Sequence, residues 1–171
     1  IPFDNLRDYQ NSDVLFLLKY KIGLFQVNTS YGKTETISTL ANYFVEQGKR
    51  VLLVTPGNKA RDELVKRADI RFGLKVGKEL GDEVCCLITT GLLNRKDYKT
   101  DDGIREAERL LSTYDIVLVD EVEYTINPGG DFLYSKLGNA TNFYGFSGTA
   151  DKYSGAALTF VNGLSESILK N

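Results

Sequence analysis

At 171 residues, with 42% apolar and 26% charged side chains, the chain has the size of one globular domain and can bury a real core. A net charge of −2 and a pI of about 5.3 give no overall electrostatic footprint for nucleic acid, and no apolar run approaches the roughly 18–20 residues of a membrane span. The absence of histidine removes every imidazole-based catalytic scheme and most zinc sites, leaving carboxylates, lysine, hydroxyls, backbone amides and a metal for any chemistry.

The N-terminus shows no basic-then-apolar signal pattern, so the cytoplasm is the default compartment. Cys85 and Cys86 are adjacent within an apolar run and should point to opposite faces of a strand, as unpaired buried thiols. The chain opens on Ile1 and contains no methionine, so it is expected to be a piece of something longer.

In chain order, Asp4 to Lys19 reads as a helix with Leu6, Tyr9, Val14, Leu15 and Leu18 as rough apolar positions. Gly23 to Asn28 reads as a strand. Ile37, Leu40, Ala41, Phe44 and Val45 then mark a one-faced helix that Gly48 should stop. Arg50 to Thr55 is the next strand, broken by Pro56-Gly57, after which Asn58 should cap a helix running to about Ala68. Glu83 to Thr90 is a third strand. Asp101 or Asp102 should cap a helix carrying Ile104, Ala107, Leu110 and Leu111. Asp115 to Val119 and Phe143 to Ser147 complete five strands.

Alternating strands and helices predict an α/β fold, three layers deep, with a mostly parallel central sheet and helices on both faces. No repeat or linker interrupts it, so residues 1–171 are expected to form a single domain. Continuous apolar strands imply burial on both faces, and ligands of such sheets sit beyond the carboxyl ends of the strands. The polar clusters Thr29–Thr34, Thr55-Pro56, Thr89-Thr90, Asp120-Glu121 and Ser147–Thr149 all follow strands.

Two of these clusters form the halves of a nucleoside-triphosphate site. Asn28-Thr29-Ser30-Tyr31-Gly32-Lys33-Thr34-Glu35 is a turn between a strand and a helix, where backbone N–H groups and the positive helix end can hold phosphate. Lys33 is the expected charge on the β- and γ-phosphates, Thr34 a Mg²⁺ ligand, and Gly32 the point of close backbone approach. Val27 stands where the full phosphate-loop pattern has glycine. The run Ile116-Val117-Leu118-Val119 delivers Asp120 as the metal carboxylate and Glu121 as the positioner or base for an attacking water. ATP and Mg²⁺ are the expected cofactors.

From Leu6 to Ala150 the motifs resemble the first RecA-like motor domain of superfamily 2 helicases and translocases, a P-loop NTPase fold. Leu6-Arg7-Asp8-Tyr9-Gln10 resembles the adenine-recognising Q-type motif, and Thr29 to Thr34 resembles motif I. Thr55-Pro56-Gly57 sits within a likeness to motif Ia, and Leu87-Ile88-Thr89-Thr90 resembles the strand and threonine pair that follow it. Asp120-Glu121-Val122-Glu123 occupies the DEAD/DEAH position, and Gly145-Phe146-Ser147-Gly148-Thr149-Ala150 that of motif III.

The resemblance implies that Gln10, Thr29, Ser30, Tyr31, Gly32, Lys33, Thr34 and Glu35 bind the nucleotide. It implies that Pro56, Gly57, Asn58, Thr89 and Thr90 touch a sugar-phosphate backbone, with Lys59 and Arg61 adding charge. Glu123, Ser147 and Thr149 would couple hydrolysis to movement. Glu123 replaces the usual His or Asp, and Gly148 replaces an alanine. Lys66, Arg67 and Arg71 read as solvated helix surface.

The same resemblance implies a second RecA-like domain, in the same full-length polypeptide, carrying an arginine finger; nothing after Ala150 resembles one. The expected activity is ATP-dependent movement on nucleic acid, with DNA favoured over RNA and no membrane partner. The isolated piece should turn over little. Two alternatives are a phage packaging-type P-loop ATPase and a non-catalytic ATP-dependent nucleic-acid-binding module. Gln10 ahead of the turn argues against the first, and Lys33, Asp120 and Glu121 together argue against the second.

Overall fold

Each of the five apolar runs becomes a strand: β1 (Ile22–Gln26), β2 (Val51–Thr55), β3 (Val84–Ile88), β4 (Ile116–Asp120) and β5 (Asn142–Ser147). The computed structural model describes residues 3–27, 31–89, 98–125 and 128–148, and there the strands make one parallel sheet in the order β1-β5-β4-β2-β3. Parallel neighbours need crossovers, which helices supply. The helices are α1 (Asp8–Leu17), α2 (Lys33–Glu46), α3 (Asn58–Phe72), α4 (Asp101–Leu111) and α5 (Pro128–Ser135).

The sheet divides the interior into two apolar cores, one on each face. On one face Val51, Leu53, Cys86, Ile116, Leu118, Tyr144 and Phe146 pack against Val14 of α1, Leu40 and Phe44 of α2, and Leu64 and Ala68 of α3. On the other, Leu52, Val54, Cys85, Val117, Val119 and Phe143 pack against Leu111 of α4 and Leu133 of α5. Cys85 and Cys86 therefore lie in different cores, both buried and neither in a disulfide, as the two-residue strand period requires. The expected three-layer α/β arrangement is present.

Strand register sets the functional edge. Gln26 pairs with Ser147, Asp120 with Phe146, Val54 with Val119, and Thr55 with Ile88, so the carboxyl ends of β1, β5, β4, β2 and β3 come level. Residues that follow those strands are thereby brought to one rim.

Several local expectations are corrected. α1 begins at Asp8 rather than Asp4, and its buried positions are Gln10, Val14 and Leu17; Tyr9 is 45% exposed. Gly57, not Asn58, precedes the first turn of α3, and that helix runs on to Phe72 before Gly73 stops it. Thr100 caps α4, its hydroxyl accepting the Gly103 N–H at 3.0 Å, because the aspartates after it already lie inside the helix. β4 extends through Asp120. β1 is half-buried from Ile22 to Phe25 and exposed at Gln26, rather than enclosed on both faces. Neither a 3₁₀ turn (Val122–Thr125) nor α5 is among the elements expected from sequence: the first is too short to show a period, and Gly129 and Gly130 obscure it in the second. Among the described residues no helix is long and apolar enough to cross a membrane.

Candidate nucleotide site

The Tyr31-Gly32 segment that leads into α2 is braced from beneath by α1. Gln10 is 3% exposed, and its Nε2 donates to the carbonyls of Tyr31 at 2.7 Å and Gly32 at 3.2 Å, and to Thr36 Oγ1 at 3.2 Å. Its Oε1 accepts the Arg7 N–H at 2.8 Å. Gly32 sits at φ +86°, and a Cβ there would lie 2.7 Å from Gln10 Nε2, so the brace and the glycine require each other. Gly32, the residue before the first turn of α2, has no side chain to cap it, and such amides suit an anion. The Tyr31 ring packs on Tyr9 at 5.4 Å and Phe25 at 5.5 Å, and its hydroxyl donates to Asp13 Oδ2 at 3.1 Å.

Lys33 on that first turn reaches across to the end of β4. Its Nζ lies 2.8 Å from Asp120 Oδ1 and donates a short hydrogen bond to Glu121 Oε1. The lysine-bearing turn and the tandem acids thus share one small volume, although 87 residues separate Lys33 from Asp120 in the chain. Burial opposes the Lys33 charge, but Asp120 and Glu121 outweigh it and hold the ammonium above its ordinary pKa.

Glu121 is held unusually. Its backbone is left-handed at φ +51°, a conformation a non-glycine residue adopts only when its surroundings enforce it. Burial and a hydrogen bond with Glu123 raise its pKa above the ordinary glutamate value in spite of Lys33. A carboxylate so raised is a better proton acceptor than a solvated one. The turn carrying Glu123 packs against β5, which ends at Ser147.

The donor set fits magnesium. Asp120 Oδ1 is buried at the end of β4 and faces the Lys33 ammonium at 2.8 Å, so it already sits opposite a cation. Mg²⁺ is commonly held through one or two carboxylates plus substrate phosphates, and no cluster of three acid or thiol ligands forms among the described residues. Asp120, with Thr34, would hold such an ion.

The remaining expected site residues divide. Thr29, Ser30, Thr90 and Thr149 lie outside the described residues. Pro56 and Gly57 are half-exposed and Asn58 exposed at the rim. Arg61 turns inward and donates to Asn58 Oδ1 at 2.8 Å. Thr89 is buried and donates its hydroxyl to the Thr55 carbonyl at 3.0 Å, tying β3 to β2. Ser147 is buried, and its carbonyl accepts the Val27 N–H at 2.9 Å. A Cβ on Gly148 would meet the Val27 carbonyl at 3.3 Å, so glycine keeps the end of β5 close to β1.

Glu35 leaves the phosphate turn and faces α3, with Oε1 2.8 Å from Arg71 Nε and Oε2 3.8 Å from Arg67 Nη1. Arg67 and Arg71 are therefore ion-pair partners of the turn's helix rather than merely solvated surface. Their four-residue spacing beside buried Leu64 and Ala68 was the available signal. The Gln10 brace left no comparable signal: Gln10 shares the buried face of α1 with Val14 and Leu17, but its place under the turn depends on how α1 packs.

No protein-family model matches the chain, and no curated protein matches it. Solved structures do. The UvsW helicase of bacteriophage T4 superposes with a TM-score of 0.70 at 16% identity, covering 96% of this chain and 61% of its own. A hypothetical ATP-dependent RNA helicase from Sulfolobus tokodaii gives 0.65 at 17%, covering 93% and 51% respectively. The Sulfolobus solfataricus SWI2/SNF2 ATPase core, solved with double-stranded DNA, gives 0.61 at 17%, covering 93% and 36%. The chain spans less than two thirds of each of these structures. Likeness at this level establishes the fold alone: a parallel α/β domain of the kind found in these helicase and ATPase structures.

Proposed function

We propose that this chain is the ATP-binding half of a nucleic-acid helicase or translocase. The observation that carries the reading is the convergence of Lys33, Asp120 and Glu121 at the end of a parallel sheet. Lys33 pairs with the two acids, and a bound nucleotide would draw its ammonium to the β- and γ-phosphates while the α2 amides take the remaining phosphate charge. Magnesium, held by Thr34 and Asp120, would supply charge neutralisation at the phosphates. Glu121, once released by Lys33, orients a water and accepts its proton, its raised pKa suiting that task.

The brace from Gln10 fixes the turn rather than offering an open amide edge to a base. Tyr9 and Arg7 lie beside it, the guanidinium 5.9 Å from the ring centre, and provide a stacking surface. Nucleic acid, DNA in preference to RNA, would cross the rim at Pro56 to Asn58. A second RecA-like domain in the full polypeptide would complete the cleft.

The test is ATP hydrolysis by the full-length protein with single- and double-stranded DNA and RNA. Lys33→Ala should weaken nucleotide binding about 10–100-fold, the value of a charged hydrogen bond. Glu121→Gln should retain binding and lose turnover. Nucleotide binding that survives Lys33→Ala unchanged would refute the site.

A further inference from the structure

Glu35 stands two residues after Lys33 on the first turn of α2, yet its carboxylate is directed at α3. The pair is anchored at one end and open at the other: the Glu35 side chain is 12% exposed, and those of Arg67 and Arg71 are 45% and 47%. Oε1 has Arg71 at 2.8 Å. Oε2 is buried, has no hydrogen-bond partner among the described residues, and sees Arg67 only at 3.8 Å. A buried carboxylate oxygen left in that state is unfavourable, and closure of Arg67 onto it would satisfy it. An open cavity of about 580 Å³ lined by Thr34, Glu63, Lys66, Arg67, Ile70 and Arg71 gives the Arg67 side chain room to move.

α3 is a 15-residue rod, about 22 Å long. Leu64 and Ala68 pin its middle to the sheet. Its N-terminal end continues directly from the Pro56-Gly57 rim, where Arg61 holds Asn58. One helix thus touches the phosphate turn's helix near its C-terminus and begins at the rim proposed for nucleic acid.

We propose that Glu35, Arg67 and Arg71 form a strut that transmits the state of the phosphate turn to the Pro56–Asn58 rim. Arg71 keeps the two helices engaged, and Arg67 closes on Glu35 when the first turn of α2 takes up phosphate. Glu35 is then a positioning residue acting through α3. The proposal rests on the nucleotide-site reading above. It makes coupling between the two sites reciprocal, of the 5–150-fold size usual for such couplings.

The experiment is amide hydrogen exchange on the chain with and without a Mg²⁺-bound, non-hydrolysable ATP analogue. Unaltered protein should bind the analogue and change exchange over residues 55–62 at least about 5-fold. Arg67→Gln should still bind the analogue but lose that change, and adding Glu35→Gln, which also releases Arg71, should not restore it. A purely structural tie would alter exchange equally with and without analogue, and that result would overturn the strut. So would analogue binding that leaves residues 55–62 unmoved, or a response that survives Arg67→Gln. Failure of the unaltered protein to bind the analogue at all would overturn the nucleotide-site reading together with the strut.

Discussion

At Gly32 a left-handed backbone and the close approach of Gln10 coincide, so the position tolerates no side chain. Gly32→Ala should lower stability by about 1–2 kcal/mol from the backbone alone. Denaturant unfolding reads that loss, and nucleotide titration should show the turn no longer binding. Gln10→Ala in the same background would relieve the contact but also remove the hydrogen bonds to the Tyr31 and Gly32 carbonyls and Thr36, so stability should not recover. Cys86 supplies a pH signature at the same scale. Burial pushes its thiol up to about 12, with hydrogen bonding to Thr55 opposing. Because the folded value is raised, the contribution is fully present below the unfolded thiol pKa and is lost as pH climbs from there toward about 12. Stability should therefore fall through that alkaline window, and Cys86→Ala should flatten the slope. At neutral pH a thiol alkylating reagent should modify Cys86 only after unfolding.

Among the elements, α4 offers a clean measurement, because its face toward the sheet is apolar and its first turn depends on one hydroxyl. Thr100→Ala should cost about 1 kcal/mol by removing the bond to Gly103, measurable as a shift in denaturant midpoint without loss of nucleotide binding. Threonine wins the cap over the two aspartates through chain direction alone: Asp101 and Asp102 lie one and two residues too far along, where they favour the helix dipole instead. The 3₁₀ turn after β4 shows the opposite relation between sequence and element. Val122–Thr125 has no periodic signature, yet it is where Glu123 meets Glu121 and where the chain packs on β5. Such a turn is set by the strand it follows and the strand it faces. A window of local sequence contains neither.

For the whole molecule, all five strands end on one rim, which carries a lysine, two acids and an exposed turn but no arginine of its own directed at the phosphates among the described contacts. If the chain is one half of a cleft, hydrolysis by it alone should be slow. Adding the proposed second RecA-like domain should then raise turnover by about 10³–10⁵, the usual contribution of an arginine finger. Single-turnover assays of the chain with and without that domain would measure the difference. Rapid, nucleic-acid-stimulated hydrolysis by the chain alone would instead mean that the site is complete as it stands.

The strands, the glycine-lysine-threonine turn and the tandem acids were legible in the sequence because each is local: an apolar run, a turn residue, a pair of charges after a β segment. The motif spacing even assigned Lys33 and Asp120 to one ligand, since parallel topology sends both to the same rim. Only the tertiary structure decided what the supporting residues do. Gln10 lies under the turn because α1 packs beside α2, and Glu35 faces α3 because the two helices cross near Arg71. Thr89 is enclosed because β3 lies beside β2. Those directions follow from how elements pack against one another over long sequence separations, and no residue's own neighbours specify them.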